Sequence, residues 1–368
     1  MPLTNIDGQR LGDSVADKLG NRNLIDNGAM QVSQRSTSVT SVTTTNYHTV
    51  DRFKLELNTL GTWTLTQESD GPDGFANSFK LNCTTADASP AAGDFCLIHQ
   101  KIEAQYLQHF KYGTSSAEAL TLSFYVKSNK TGTASVGLLQ SDNSNKLYSA
   151  EYTINSANTW ERKTISVPAD TAGVINDDNG SGMQIDFWLN SGSDYSGGSF
   201  GGWSAYDATN RNVSNLGVGG AVSDYFQITG VQLEVGNTAT PFEHRTYSED
   251  LARCQRYFQG VDSRNDTNVY HSYGHGMFDS STSCYGIMYF QTEMRAPPSS
   301  ISSSGGTNWY VQSGGTAITN WTTIAIDLCG RNNGLVRFTG GSGGTIGRVG
   351  RWLANNNTTR FCFFSADL

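Results

Sequence analysis

Residues 120–127 read LTLSFYVK, and this stretch sets the pattern for most of the chain. Its apolar side chains alternate with polar or amphipathic ones. Because successive side chains of a strand point to opposite faces, this alternation predicts a strand with one buried and one solvated face. The same period recurs at 51–57, 62–67, 78–83, 95–100, 133–140, 146–154, 159–167, 183–189 and 226–235. About ten such strands, separated by turn residues, predict an all-β fold, a two-sheet sandwich of the jelly-roll type.

The composition agrees with this prediction. Of 368 residues only 16% are charged, while 40 are glycine, and Phe, Tyr and Trp number 17, 16 and 7. A chain poor in Lys and Glu but rich in Thr, Ser, Asn, Gly and aromatic residues favours strands and turns over helices. The aromatic content is sufficient for a core and argues against disorder.

The charge distribution excludes several classes of partner. The formal net charge is −8 and no basic stripe is present, so we expect no nucleic-acid partner. No apolar run approaches the roughly 20 residues of a membrane helix, so we expect no membrane insertion. The opening residues, MPLTNIDGQRLGDS, lack the apolar segment of a secretory signal, and we expect any exit from the cell to occur by another route, such as lysis.

The pattern divides the chain into three parts. Residues 1–22 form an arm without strand periodicity, in which three apolar residues at i, i+4 and i+8 allow one or two helical turns. Residues 23–246 carry the sandwich pattern. Residues 247–368 open with a short connector helix at 248–258, for which Ser248 is the expected N-cap, and continue as a smaller C-terminal β domain.

Six cysteines are present, and none forms a C-x-x-C pair, so the spacing is not that of a zinc site. Free, half-buried thiols formed in a reducing cytoplasm are the simplest interpretation. A disulfide between Cys83 and Cys96, which are thirteen positions apart, is the alternative.

Several motifs resemble those of one family. Residues 23–30 (NLIDNGAM) resemble the opening strand of carbohydrate-binding jelly-roll modules, and residues 226–243, beginning FQITGVQLEVG, resemble their closing strand. The helix LARCQRYF at 251–258, followed by FQTEMRAPP at 290–298 and the final FSADL, resembles phage tail-fibre and receptor-binding proteins.

This resemblance implies a virion-surface protein, made in the host cytoplasm, that recognises host-surface glycans without cleaving them. It also implies a homotrimer or other oligomer. The arm at residues 1–22 is expected to attach to other virion proteins, because it is the only segment without strand patterning. Two alternatives stay open, a purely structural capsid or tail decoration protein and a polysaccharide depolymerase.

The first candidate glycan site is the Gly- and Ser-rich segment 191–220. Sugar rings stack on aromatic side chains, and neighbouring polar groups can bind hydroxyls. The candidates are Tyr195, Phe200, Trp203, Tyr206 and Asp207. The alternative is that these aromatic residues hold the loop onto the sandwich.

A structural calcium ion is implied by the resemblance near the opening of the jelly roll. Carboxylates at Asp26, Asp51 and Glu234 lie near the matching strands. The alternative is that they cap backbone amides in turns, since no contiguous calcium loop is present.

The third candidate is the C-terminal domain, which combines Trp309, Trp321 and Trp352 with Tyr270, His271, Tyr273 and His275. An aromatic surface at the tip suits receptor contact. An enzyme is not expected, because G-x-S-x-G, H-E-x-x-H and P-loop motifs are all missing from the sequence. Acidic pairs such as Asp177 with Asp178, or Asp186 with Asp194, are no more than any β protein offers.

Overall fold

The computed structural model describes residues 21–199, 201–262, 264, 272–304, 309–313, 316–318, 321–353 and 361–368. The predicted arm therefore lies almost wholly outside the described residues. The chain divides into two compact units, with the boundary between Asp250 and Leu251. Within the described residues, no helix is long and apolar enough to cross a membrane.

The first unit contains eleven described strands. They are β1 Ser38–Val42, β2 Lys54–Asn58, β3 Thr62–Glu68, β4 Ser78–Thr85, β5 Phe95–Glu103, β6 Leu120–Ser128, β7 Gly132–Gln140, β8 Lys146–Ile154, β9 Glu161–Val167, β10 Ser181–Ser191 and β11 Tyr225–Val235. Short 3-10 turns lie at Ala104–Tyr106, Gln108–Phe110, Ser141–Asn143, Ser193–Tyr195 and Ala208–Asn210. The strands form a six-stranded sheet, ordered β1-β3-β4-β11-β6-β9, and a five-stranded sheet, ordered β2-β5-β10-β7-β8.

The core of this unit lies between the two sheets. Phe124 of β6 is fully buried and packs edge-on against Phe187 of β10 and Tyr152 of β8, with ring centroids 5.0 Å apart in each case. Alternate residues of every long strand point into this layer, as the period of two predicts. The all-β fold, a jelly-roll sandwich followed by a smaller domain, is confirmed.

The connector helix, α1 (Tyr247–Gln255), begins near its predicted position. Its cap differs from the prediction, because Thr246 rather than Ser248 occupies the capping position. The Glu249 amide donates to Thr246 Oγ1 (3.3 Å), and the Thr246 amide donates to Glu249 Oε2 (2.8 Å). This reciprocal arrangement is a capping box and satisfies two backbone donors of the first turn.

The second unit contains ten described strands. They are β12 Phe258–Asp262, β13 Ser272–Phe278, β14 Ser283–Tyr289, β15 Ser300–Ser303, β16 Tyr310–Ser313, β17 Thr316–Ile318, β18 Thr323–Cys329, β19 Asn333–Thr339, β20 Val349–Leu353 and β21 Phe361–Ser365. One sheet has the order β12-β21-β15 and the other β17-β16-β20-β13-β14-β19-β18.

Glycines and tryptophans pack together in the core of this unit. A Cβ atom on Gly286 would lie 1.5 Å from the ring of Trp352, and one on Gly341 would lie 2.9 Å from the ring of Trp321. These glycines are required because the indole rings lie directly on the backbone of neighbouring segments. The Gly-rich composition therefore reflects aromatic packing in the core.

All six cysteines are free in the structure, and all but Cys329 are buried. Cys83 and Cys96 therefore do not form the disulfide that was the alternative. Burial raises the pKa of the Cys96 thiol well above its usual value, so this side chain behaves as a small apolar group.

Candidate functional site

The outer face of the five-stranded sheet carries an unusual set of polar side chains. Leu55 of β2, Ile98 of β5 and Ile185 of β10 point into the core. Because side chains alternate along a strand, the residues on either side of each of these three point outward. The outward residues are Lys54 and Glu56 on β2, Leu97, His99 and Lys101 on β5, and Gln184, Asp186 and Trp188 on β10. These three strands are neighbours, so their outward side chains form one continuous surface, named here the sheet face.

A long loop, residues 192–215, covers the other half of the same sheet. Ser204 and Leu147 exchange backbone hydrogen bonds of 2.9 Å, and the Ser135 hydroxyl accepts a 2.8 Å hydrogen bond from the Ser214 amide. The loop thereby covers β7 and β8. The side chains of Lys54, Glu56, Lys101 and Gln184 stay half-buried at the uncovered part.

Arg211 lies where the loop meets the sheet face. Its Nη2 atom donates to Asp186 Oδ2 at 2.8 Å, and its guanidinium stacks over the Trp188 ring at 4.8 Å from the centroid. The second oxygen of Asp186 accepts from Gln184 Nε2 at 2.7 Å. Burial lowers the pKa of Arg211, whereas the charge of Asp186 and its hydrogen bond with Arg211 raise that pKa. The net shift is upward. Arg211 therefore keeps its positive charge, and its contacts with Asp186 and Trp188 hold it in one orientation.

Buried polar atoms of this region lack partners. Arg211 Nε and Trp188 Nε1 are buried and make no hydrogen bond to any described residue. Both ring nitrogens of His99 share this property. Buried donors and acceptors are nearly always satisfied in folded proteins, and exceptions concentrate at functional sites or at sites of ordered water. Such atoms also occur elsewhere in the described residues, as at Tyr152, but four of them belong to three residues of this region. We therefore take the sheet face as the candidate site.

His99 is neutral in this environment. Burial lowers its pKa well below the usual value, and Lys101 and Lys54 lower it further. Its Nδ1 lies 3.3 Å from Glu56 Oε1, without the geometry of a hydrogen bond. Burial, followed by repulsion from Asp186, raises the pKa of Glu56. The sheet face thus offers lysine donors, an amide and a carboxyl group side by side, as binding of hydroxyl groups requires.

Most of the predicted aromatic residues of the loop hold it in place. Trp203 is half-buried, donates from Nε1 to the Pro168 carbonyl at 2.8 Å and packs against Tyr148. Tyr195 packs on Trp188, with ring centroids 5.8 Å apart. For these two residues, the alternative of an anchoring role agrees with their contacts.

Tyr206 differs from its neighbours because it is 43% exposed. Its hydroxyl is close enough to Arg211 to influence the pKa of that residue. Asp207 caps the turn at Ala208–Asn210 by accepting from the Thr209 amide at 3.0 Å. Phe200 lies outside the described residues. Tyr206 is therefore the predicted aromatic residue best placed to stack on a ligand at the edge of the sheet face.

The three carboxylates predicted to hold calcium are engaged by protein groups. Asp26 faces Arg52 at 3.3 Å, and Asp51 accepts from the Gln34 amide at 3.1 Å. Glu234 Oε1 accepts from the Thr240 amide at 2.9 Å. Within the described parts of the chain, no three His, Cys, Asp or Glu side chains converge to hold a metal ion. The contacts of Asp51 and Glu234 with backbone amides agree with the alternative of capping, and Asp26 forms an ion pair instead. Calcium binding at these residues stays a prediction.

The tryptophans predicted for a C-terminal contact surface are in the core. Trp309, Trp321 and Trp352 are 2%, 0% and 1% exposed. The prediction of these three as glycan contacts is corrected, because the second unit needs their volume to fill its interior. Tyr270 and His271 lie outside the described residues.

A groove of about 640 Å³ does lie on the outer side of the seven-stranded sheet. Its lining includes Tyr273 and His275 from the predicted cluster, together with Met277, Tyr285, Ile287 and Tyr289. Met277 and Ile287 are 55% and 46% exposed. This surface, named here the apolar tip face, is more apolar than the sheet face.

Glu56, His99 and Arg211 were not predicted from the sequence. The available signal was the placement of charged residues within otherwise apolar strands, as in LIHQK at 97–101. Charged residues at such positions are usually solvated, and only the pairing of the strands shows that these residues meet on one sheet face beside the loop.

No protein-family model matches the sequence, and no curated protein matches it. Among solved structures, a tailspike protein of bacteriophage CBA120 is 16% identical, with a TM-score of 0.31, over 58% of this chain and 22% of its own. The carbohydrate-binding module CBM4 is 13% identical, with a TM-score of 0.28, over 58% of this chain and 99% of its own. TmCBM61, solved with β-1,4-galactotriose, is 11% identical, with a TM-score of 0.27, over 59% of this chain and all of its own.

Proposed function

We propose that the first unit recognises a glycan on its sheet face and does not cleave it. The observation that carries the proposal is the row of half-buried side chains, Lys54, Glu56, Lys101 and Gln184, on three adjacent strands beside exposed Tyr206. Sugars present many hydroxyl groups, each a donor and an acceptor, together with flat C–H faces. A surface with mixed donors and acceptors and an aromatic side chain at its edge fits this chemistry.

The arrangement of the acidic groups favours binding over cleavage. Glycoside hydrolysis requires two carboxyl groups that both reach the glycosidic bond. Asp186 is fully buried and already accepts from Arg211 and Gln184, which leaves Glu56 as the accessible carboxyl of the pair. Binding without turnover is therefore the expected behaviour.

We further propose that the protein lies on the surface of a phage particle as a homotrimer, attached through residues 1–22. The motif resemblance at 226–243 and 251–258 supports this placement. The apolar tip face supports self-association, because exposed apolar surfaces of this kind are typical of subunit interfaces. In the proposed trimer, a second copy of the chain packs against this face.

Affinity electrophoresis through host-surface polysaccharide tests glycan recognition. The polysaccharide should retard the wild-type protein, and Glu56→Gln should weaken the retardation. The matched control is Glu68→Gln, which changes a partly exposed carboxylate of the opposite sheet. An assay of reducing ends on the same polysaccharide separates the two activities. Steady release of reducing ends would establish a depolymerase, and equal mobility with and without polysaccharide would refute recognition.

A further inference from the structure

Two lysines lie side by side on the uncovered part of the sheet face. Lys54 on β2 is opposite His99 on β5, so Lys101 is its diagonal neighbour across the strand pair. Diagonal neighbours in an antiparallel pair have Cα atoms about 7–8 Å apart. One anionic group can therefore lie between the two long side chains and contact both ammonium groups.

Neither ammonium group forms an ion pair with an acidic side chain of the described residues. Lys54 Nζ lies 5.7 Å over the Tyr47 ring, and the side chain of Lys101 makes no ion pair or hydrogen bond with any described residue. Burial lowers the pKa of Lys101, and the charge of Lys54 lowers it further. A bound anion would relieve this unfavourable proximity of two half-buried cations.

Glu56 and Asp186 raise the pKa of Lys101 by electrostatic attraction, but the net shift of that pKa is downward and neither carboxyl forms an ion pair with the lysine. The Asp186 carboxylate is held by Arg211 at 2.8 Å on the side where the loop meets the sheet. Glu56 faces His99, and burial favours its neutral form. In a chain with a formal net charge of −8, this part of the surface is consequently a local site for a negative group.

We propose that the sheet face selects an acidic sugar residue, whose carboxylate or sulfate group lies between Lys54 and Lys101. The inference rests on the proposed glycan recognition and adds the class of glycan. The neighbouring Gln184 amide donates one N–H to Asp186, and its oxygen and second N–H are available to the hydroxyl groups of the same sugar residue. Selectivity arises because a neutral sugar leaves both lysines without a counter-charge.

Titration calorimetry of the full chain with three probes tests the proposal. The probes are an oligogalacturonate, a sulfated galactan oligosaccharide and a neutral galactan oligosaccharide of equal length. We expect at least one acidic probe to bind about tenfold more tightly than the neutral one, as one charge-assisted contact provides. Added salt should weaken that binding. The two acidic probes distinguish carboxylate from sulfate as the source of the charge.

Lys54→Gln and Lys101→Gln should each weaken binding of the acidic probe about tenfold. The matched control, Lys80→Gln, removes a lysine on the opposite sheet and should leave binding unchanged. Circular dichroism verifies that each variant is folded. Equal affinity for acidic and neutral probes, or wild-type affinity in both sheet-face variants, overturns the acidic preference and leaves glycan recognition intact. Failure to bind these probes and host polysaccharide alike overturns the proposed function itself.

Discussion

Replacing Asp186 by Asn should destabilise the first unit by about 2–3 kcal/mol. Asp186 is fully buried and holds Arg211, whose side chain is only 11% exposed, at 2.8 Å. Asn has nearly the same size, but both oxygens of Asp186 accept hydrogen bonds, so the substitution removes the counter-charge and one of the two acceptors. Leaving one member of a buried ion pair alone costs about 3–5 kcal/mol, and the partial exposure of Arg211 reduces this value.

Urea unfolding of the full chain, followed by circular dichroism, measures the effect. We expect one transition, that of the first unit, to move to lower urea concentration. The double variant Asp186→Asn with Arg211→Gln should be more stable than the sum of the single effects predicts, by about 1–2 kcal/mol. The control, Glu68→Gln, breaks a partly exposed ion pair with Lys80 and should cost less than about 0.5 kcal/mol. Additive effects, or a cost of Asp186→Asn equal to the control, would refute this account of the pair.

Four further predictions concern pH, packing and assembly. Burial raises the pKa of Glu161, but hydrogen bonds from a lysine and from backbone amides lower it to about 2, below its ordinary 4.5. Relative to Glu161→Gln, the carboxylate should therefore contribute about 1–2 kcal/mol to the free energy of unfolding. This contribution should be complete above pH 4.5 and vanish as the pH falls through 2, which acid unfolding of the wild-type protein and the variant will measure. Burial and nearby lysines lower the pKa of His99, so this residue takes up a proton at higher pH in the unfolded state than in the folded state. The free energy of unfolding should therefore fall as the pH drops below about 6.5. Urea titrations at several pH values should show a weaker pH dependence for His99→Asn. Trp352→Ala should destabilise the second unit by about 3–5 kcal/mol in thermal unfolding, while retardation by polysaccharide stays unchanged. Light scattering should give three times the chain mass of 39.8 kDa, and Met277→Lys combined with Ile287→Lys should reduce it; a wild-type mass near one chain would contradict the trimer.

The strands of the first unit were predictable because each long strand has one face in the core. Residues 146–154 were predicted and form β8 with the same bounds, and residues 226–235 match β11 to within one residue. β1 was missed because SVTSV at Ser38–Val42 is mostly exposed at a sheet edge, where no alternation is required. An alternating sequence pattern therefore identifies strands that have one buried face, and it does not identify strands that are mostly exposed.

The second unit was less predictable for the opposite reason. β13, which reads SYGHGMF, was not predicted as a strand, because its glycines suggest turns. In the structure a Cβ atom on Gly274 would lie 3.2 Å from the ring of Trp352. The glycines and the tryptophans are one packing feature, yet they are 78 positions apart in the sequence. The sequence analysis assigned the tryptophans to a contact surface because nothing in the sequence pattern connects them with these glycines.

The candidate site depends on contacts that join distant segments. Arg211 reaches Asp186 across 25 positions, and His99 reaches Glu56 across a strand pair. In the sequence, each of these residues looks like an ordinary surface residue, because charged and polar side chains are usually exposed to solvent. The aromatic residues of the loop attract attention in the sequence because sugars stack on rings, but Trp203 and Tyr195 use their rings to fix the loop. Specificity at the sheet face is accordingly expected from charge and hydrogen bonding, with Tyr206 as the exposed ring beside it. A variant series that compares Tyr206→Ala with Lys101→Gln separates stacking, which every pyranose shares, from recognition of one anionic residue.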